Sequence, residues 1–224
     1  MTDKKRGFFA THLDPGGIFG EILFGLIMVL TFTLGAGLTI KEEGPEAVHG
    51  LLIAALGCNL AWGLIDGVMY IMGCLLDRGR RTRMLLALKD VTDEAVALQA
   101  IETEMDGPLT SLLTPAERQA AYRDIWRLSA RAQPERPRIQ KDDLMGGLAS
   151  GLLVVLTALP GAIPFLFMDD KYQAMRASNA ILLVLLFWCG FFWARFTGVN
   201  RWLAGLAMTL IGVVLVSAAI MLGG

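Results

Sequence analysis

Charge and histidine are both scarce in this chain. Asp, Glu, Lys and Arg together make only 18% of its 224 residues, and the mean hydropathy is +0.54. That balance excludes an ordinary soluble globular domain and a disordered chain alike. The 21 acids and 20 bases nearly cancel and no basic arm stands apart, so the chain offers nucleic acid no electrostatic footprint. The two histidines, His12 and His49, have no ligand-spaced neighbour, which speaks against a structural zinc site. The three cysteines, Cys58, Cys74 and Cys189, all fall inside apolar runs, so no disulfide framework is expected. Nucleophile–histidine pairs and phosphate-binding loops are missing too, so neither an enzyme nor a bound cofactor is expected. Nor do residues 1–17, MTDKKRGFFATHLDPGG, form a cleavable signal: the apolar region that follows starts too late, runs too long and lacks a small-residue cleavage site.

What the chain has in abundance is long apolar runs. About 20 such residues cross a bilayer as a helix, and five stretches qualify. They run from about Ile18 to Ile40, Ala47 to Leu76, Leu144 to Met168, Tyr172 to Phe196 and Asn200 to Leu222. The expected fold is all-α: a polytopic membrane protein with five transmembrane helices and a cytoplasmic helical insert between helices two and three. Residues 1–17 form an N-terminal segment, 18–76 hold helices one and two, 77–143 the insert, and 144–224 helices three to five.

The basic residues set the expected orientation. The N-terminal segment, the insert and the Arg195–Arg201 loop hold 17 of the 20, while the other side holds Lys41, Lys171 and Arg176. The basic side faces the cytoplasm. The N-terminus and insert are therefore expected there, with the C-terminus across the membrane, which is expected to be the cell (inner) membrane.

Two acids lie inside the apolar runs. Asp66 sits in LLIAALGCNLAWGLIDGVMYIMGCLL, residues 51–76, seven residues after Asn59. The two therefore share a helical face, along with Trp62, Gly63, Met69, Tyr70 and Gly73. A carboxylate at that depth costs about 2.5–3.5 kcal/mol on insertion scales, so it belongs against protein, water or a cation rather than lipid. In the first span Glu21, Met28 and Gly35 recur at sevens. Counted inward at about 1.5 Å per residue, Met28 and Asp66 reach similar depths of roughly 14–16 Å, and Glu21 about 6 Å. The expected metal path has Glu21 receiving a divalent cation and Asp66 binding it with Met28 and Met69. Asn59 and Tyr70 complete or gate that shell. Carboxylates suit hard ions and thioethers softer ones. The plainer alternatives are a snorkelling Glu21, an Asp66 that only hydrogen-bonds a neighbouring helix, and methionines that only pack.

Elsewhere, Asp90/Glu94 and Glu102/Asp106 stand four apart in the insert, a spacing that suits either a hard cation or a solvated face. Thr114-Pro115-Ala116-Glu117 reads as a capping box. The helix after it gathers Tyr122, Ile125, Trp126 and Ser129 on one face, and an earlier helix is expected from about Thr92 to Met105. An Asp142 or Asp143 cap is expected for the third span. Pro160 and Pro164 inside that span are expected to kink it, freeing backbone carbonyls.

The layout, with a helical insert after the second span and a proline-bearing third span, resembles the vacuolar iron transporter family, as a divergent bacterial-type member. IFGEILFGLIMVLTFTLGAG resembles that family's opening helix, and GLLVVLTALPGAIPFLF its third-span Gly…Pro…Pro-Phe pattern. The resemblance implies a homodimer in membrane lipid, with ferrous iron or manganese and protons as its substrates, metal leaving the cytosol in exchange for protons. Two departures stand out. The family's first-span acid falls at Phe24, and the insert, with twelve acids and twelve bases, has no glutamate ladder. The competing expectation is a non-transporting dimeric anchor. Its seam would be Gly63/Gly67 and Gly147/Gly151, and its insert would bind a protein partner through Tyr122, Ile125 and Trp126.

Overall fold

The structure is a computed structural model that describes residues 7–43, 47–105, 107, 110–133 and 136–221, with side chains throughout except at 34–43, 47–49, 51 and 219–220. Its elements are α1 (Phe8–His12), α2 (Pro15–Glu43), α3 (Ala47–Asp90), α4 (Glu94–Met105), a 3₁₀ turn at Thr110–Leu112, α5 (Pro115–Arg131), α6 (Lys141–Phe167), α7 (Lys171–Thr197) and α8 (Arg201–Met221). There is no strand among the described residues. α2, α3, α6, α7 and α8 each carry a stretch long and apolar enough to cross a membrane, and the chain is an integral membrane protein.

The chain divides into two compact units, residues Met1–Ile71 with Gln140–Gly224, and Met72–Ile139. In the first, the starts of the long helices follow from local chemistry. The Asp14 carboxylate accepts the N–H groups of Gly16 at 2.8 Å and Gly17 at 3.3 Å, and Pro15, with no N–H to satisfy, opens α2. Asp170 caps α7 in the same way through the N–H groups of Tyr172 and Gln173. That helix ends at Gly198, whose φ of 72° is the left-handed conformation that glycine supplies without strain. The expected cap of α6 is corrected. The helix begins at Lys141, and Asp143, three residues after Gln140, accepts the Gln140 N–H at 2.7 Å from within the first turn. Both Pro160 and Pro164 lie inside α6, and beside them the buried Ser178 hydroxyl of α7 donates to the Gly161 carbonyl at 2.7 Å.

Leu26, Val29 and Leu30 of α2, Ala158 of α6, Leu182 and Leu186 of α7 and Val216 of α8 form the main core of this unit. A second cluster joins the N-terminal arm to the bundle. Leu13, Ala149 and Leu153 are buried together, with Phe9, Ile18, Ile22 and Tyr70 packed around them. The arm thus lies against the spans rather than trailing free.

The other unit is an independent small core. Leu88, Ala97, Ile101 and Tyr122 are buried, with Met84, Val91, Leu98, Ile125 and Trp126 around them. The face expected to bind a partner is therefore spent on packing α4 and α5 against the end of α3. Tyr122 is 4% exposed.

The Thr114 capping box forms as expected. The Glu117 N–H donates to the Thr114 hydroxyl at 3.3 Å, and Glu117 Oε2 accepts from the Thr114 hydroxyl at 2.7 Å and its backbone N–H at 2.8 Å. Those hydrogen bonds, the hydroxyl's first, hold the Glu117 carboxyl below the usual carboxylate range. A lowered value in the folded chain means stabilisation that is complete above the unfolded pKa and lost as pH falls through the folded one. Amide exchange in the first turn of α5, normalised for intrinsic rate, should therefore be slow near neutrality and quicken in acid. Thr114→Ala should quicken it at neutral pH and flatten its pH dependence.

Candidate functional site

The site is built on a glycine crossing. A Cβ added to Gly63 would lie 2.7 Å from the Gly151 carbonyl oxygen, and one added to Gly151 would lie 2.4 Å from that of Gly63. Gly67 and Gly147 oppose one another in the same manner, at 2.8 and 2.6 Å. Only residues without side chains allow backbones this close. The two small-residue stripes therefore meet inside the protomer, on α3 and α6, and the expected seam between two copies is corrected: both halves are already occupied.

This crossing fixes what stands beside it. Asp66 lies between Gly63 and Gly67 on α3, and Ser150 lies between Gly147 and Gly151 on α6. Ser150 is fully buried, and its hydroxyl donates to Glu21 Oε1 of α2 at 2.5 Å. The Glu21 carboxyl is near enough to that of Asp66 for the two to interact electrostatically. Three membrane-spanning helices thus bring together two carboxyl groups and a hydroxyl. Neither acid forms an ion pair among the described residues, and Asp66 Oδ2 is shielded from solvent without a hydrogen-bond partner there.

The expected depths need correction. Asp66 is level with Glu21, not with Met28. One turn on, the rings of Phe24 and Trp62 meet edge to face at 5.5 Å, which pins α2 against antiparallel α3 in that register. Met28 then lies about 10 Å along α2 from Glu21, at seven residues of roughly 1.5 Å. The two ends counted from, Gly17 and Leu75, are therefore not level with one another. Met69 is 60% exposed, so its thioether lies on the outer side of α3.

Asn59 is 1% exposed, two turns from Asp66. Its amide nitrogen donates to the Ala55 carbonyl at 3.1 Å, while its oxygen is buried with no partner among the described residues. The Tyr70 hydroxyl donates to the His12 carbonyl at 2.9 Å, and its ring lies over Gly146, where an added Cβ would strike it. Tyr70 therefore ties α1 to α3.

In the insert, Asp90 is the last residue of α3 and Glu94 the first of α4. The break between them, where Asp93 accepts the Ala95 N–H, means the two do not share a helical face. Glu94 instead pairs with Arg123 of α5 at 2.5 Å. Glu102 is on α4, and Asp106 lies outside the described residues. Among the described residues no three His, Cys, Asp or Glu side chains gather as a metal-holding group.

Ser150 was not among the residues expected from sequence. Its signal was the small-residue run Ala149-Ser150-Gly151, on the same stripe as Gly147, where a hydroxyl can approach another span.

Residues 79–224 match the model of the VIT family. Over 220 residues the chain is 25% identical to vacuolar iron transporter 1 of Oryza sativa subsp. japonica, covering 93% of this chain and 85% of that protein. The family match includes Ser150, whereas Glu21 and Asp66 precede it.

Proposed function

This chain belongs to the VIT family, and we propose that it is a transporter that moves a divalent transition metal, iron or manganese, out of the cytosol in exchange for protons. The observation that carries this reading is the Glu21–Ser150 hydrogen bond with Asp66 beside it, set among three apolar helices without a basic partner among the described residues. Structural acids inside membranes pair with a base or a donor. Among the described residues this pair has one donor between two carboxyl groups.

The chemistry of such a pair is exchange. Two like charges in a medium of low dielectric repel strongly. A divalent cation between them removes the repulsion, and so do protons placed on them. The same oxygens cannot serve both, so metal and protons compete for one site. If the helices expose that site to one face and then the other, the competition couples the two fluxes in opposite directions. The donors are all oxygens, a set that suits hard divalent ions. Met28 stands some two turns from that set, and Met69 is exposed on the single chain. We read the N-terminus and insert as cytoplasmic, and the working unit as a homodimer.

Ser150 positions Glu21. Its hydroxyl holds one carboxylate oxygen and leaves the other for an ion. Ser150→Ala fits the same space but removes a hydrogen bond to a charged group, worth about 1.5–3 kcal/mol. The metal concentration for half-maximal transport should rise on the order of tenfold, with a smaller change in maximal rate. Metal content of cells with and without the protein tests the function itself. Cells that make it should hold less iron or manganese under metal load; equal content of both would count against export.

A further inference from the structure

Beyond the acid pair, the end of α3 carries a feature that metal transport does not use. From Met72 onward, residues Met72, Leu75, Leu76, Gly79 and Arg83 recur at three and four, one stripe on a continuous helix. Together with Pro137 they line a groove of about 550 Å³ whose wall is almost wholly apolar until Thr82 and Arg83 close one end. Glycine makes the trough. A Cβ added at Gly73 would meet nothing within 4 Å, and one at Gly79 would only touch Pro137 at 3.8 Å.

Beyond the apolar run stand Asp77 and four arginines, and the arginines are unevenly spent. Arg78 is tied to the Arg138 carbonyl at 2.8 Å, and Arg80 is paired with Glu104 at 3.1 Å. Arg81 and Arg83 are exposed and form no ion pair among the described residues. Leu76 closes the apolar run of the span, and Arg83 follows seven residues on, about 10 Å along the helix at roughly 1.5 Å per residue. The headgroup layer on each side of a bilayer is about 5–8 Å thick, and a helical side chain leans back toward the helix N-terminus, which brings the long Arg83 side chain within reach of that layer.

We propose that this groove binds one anionic phospholipid, with an acyl chain along Met72, Leu75, Leu76 and Pro137 and the phosphate on Arg83. Charge complementarity selects the occupant. A protein partner would have no reason to match an apolar trough that turns basic at the depth of the headgroups, whereas an anionic lipid has that profile. Arginine also suits phosphate through its forked donors.

The test uses the full-length protein purified in detergent, with native mass spectrometry to count retained lipid and thermal unfolding to read stabilisation. Phosphatidylglycerol, phosphatidylcholine and inorganic phosphate are added separately. Phosphatidylglycerol should be retained at one per chain and should raise the unfolding temperature, with little effect from phosphatidylcholine or phosphate. Arg83→Gln, an exposed position whose change leaves folding intact, should weaken retention about fivefold, the worth of one basic residue at an anionic surface. Gly79→Leu should fill the trough and weaken retention at least as much, with Arg83 still present. Equal retention of phosphatidylcholine would mean only an unselective coat of lipid. Stabilisation by phosphate alone would mean a free-anion site. Either result, or wild-type retention in both variants, would overturn the proposal.

Discussion

Asp66→Asn should lower metal-dependent flux in proteoliposomes by more than tenfold while leaving the protein folded. Asparagine matches aspartate in shape, and the half-buried Asp66 has an oxygen without a hydrogen-bond partner among the described residues, so little packing is lost. What disappears is one full charge facing the cation. Even at an effective dielectric near 20, a unit charge about 4 Å from a divalent ion is worth several kcal/mol, more than enough for a tenfold change. Glu21→Gln should act in the same direction, and the double variant should do little further harm, because two acids that hold one ion act as a unit. Undiminished flux in Asp66→Asn would remove the acid pair from the mechanism.

Gly151→Ala should destabilise the membrane bundle by about 1–3 kcal/mol, the usual cost of overpacking. Its new methyl group would meet the Gly63 carbonyl oxygen at 2.4 Å, and a backbone atom cannot swing aside as a flexible side chain can. The helices would have to part, and Ser150 beside Gly151 would part from Glu21 with them. Transport should therefore fall together with stability. Gly50→Ala and Gly57→Ala are the matched controls, since an added Cβ meets nothing within 4 Å at either position. Both should be neutral or slightly stabilising, by up to about 1 kcal/mol from reduced backbone freedom. Thermal unfolding in detergent, read alongside flux, separates the two classes of glycine.

How far the sequence could be read depended on the range of the interaction involved. The five spans were legible because apolar length alone decides them, and the Thr114 cap because it closes within three residues. Asp66 stood out because a carboxylate in an apolar run is costly wherever the helix lies. Its partner was not legible. Ser150 and Glu21 are 129 residues apart, and only the glycine crossing of α3 on α6 brings that hydroxyl to the acids. The same long-range packing overturned the expected seam, because two small-residue stripes look alike whether they meet within one chain or between two. The expected level of Asp66 failed because the two ends counted from, Gly17 and Leu75, are not level, a register that only the packing of α2 on α3 fixes. Phe24 illustrates a third kind of limit. The sequence gives an aromatic where the family resemblance calls for an acid, and only the structure supplies its contact, the ring of Trp62.

The most direct test is to reconstitute the purified wild-type protein in sealed vesicles and follow internal metal and internal pH together as ferrous iron or manganese is added. Metal and protons should cross in opposite directions, in fixed proportion, and only when the protein is present. A correctly folded protein that moved no metal, or moved it with no accompanying proton flux, would contradict exchange at the Glu21–Asp66 pair.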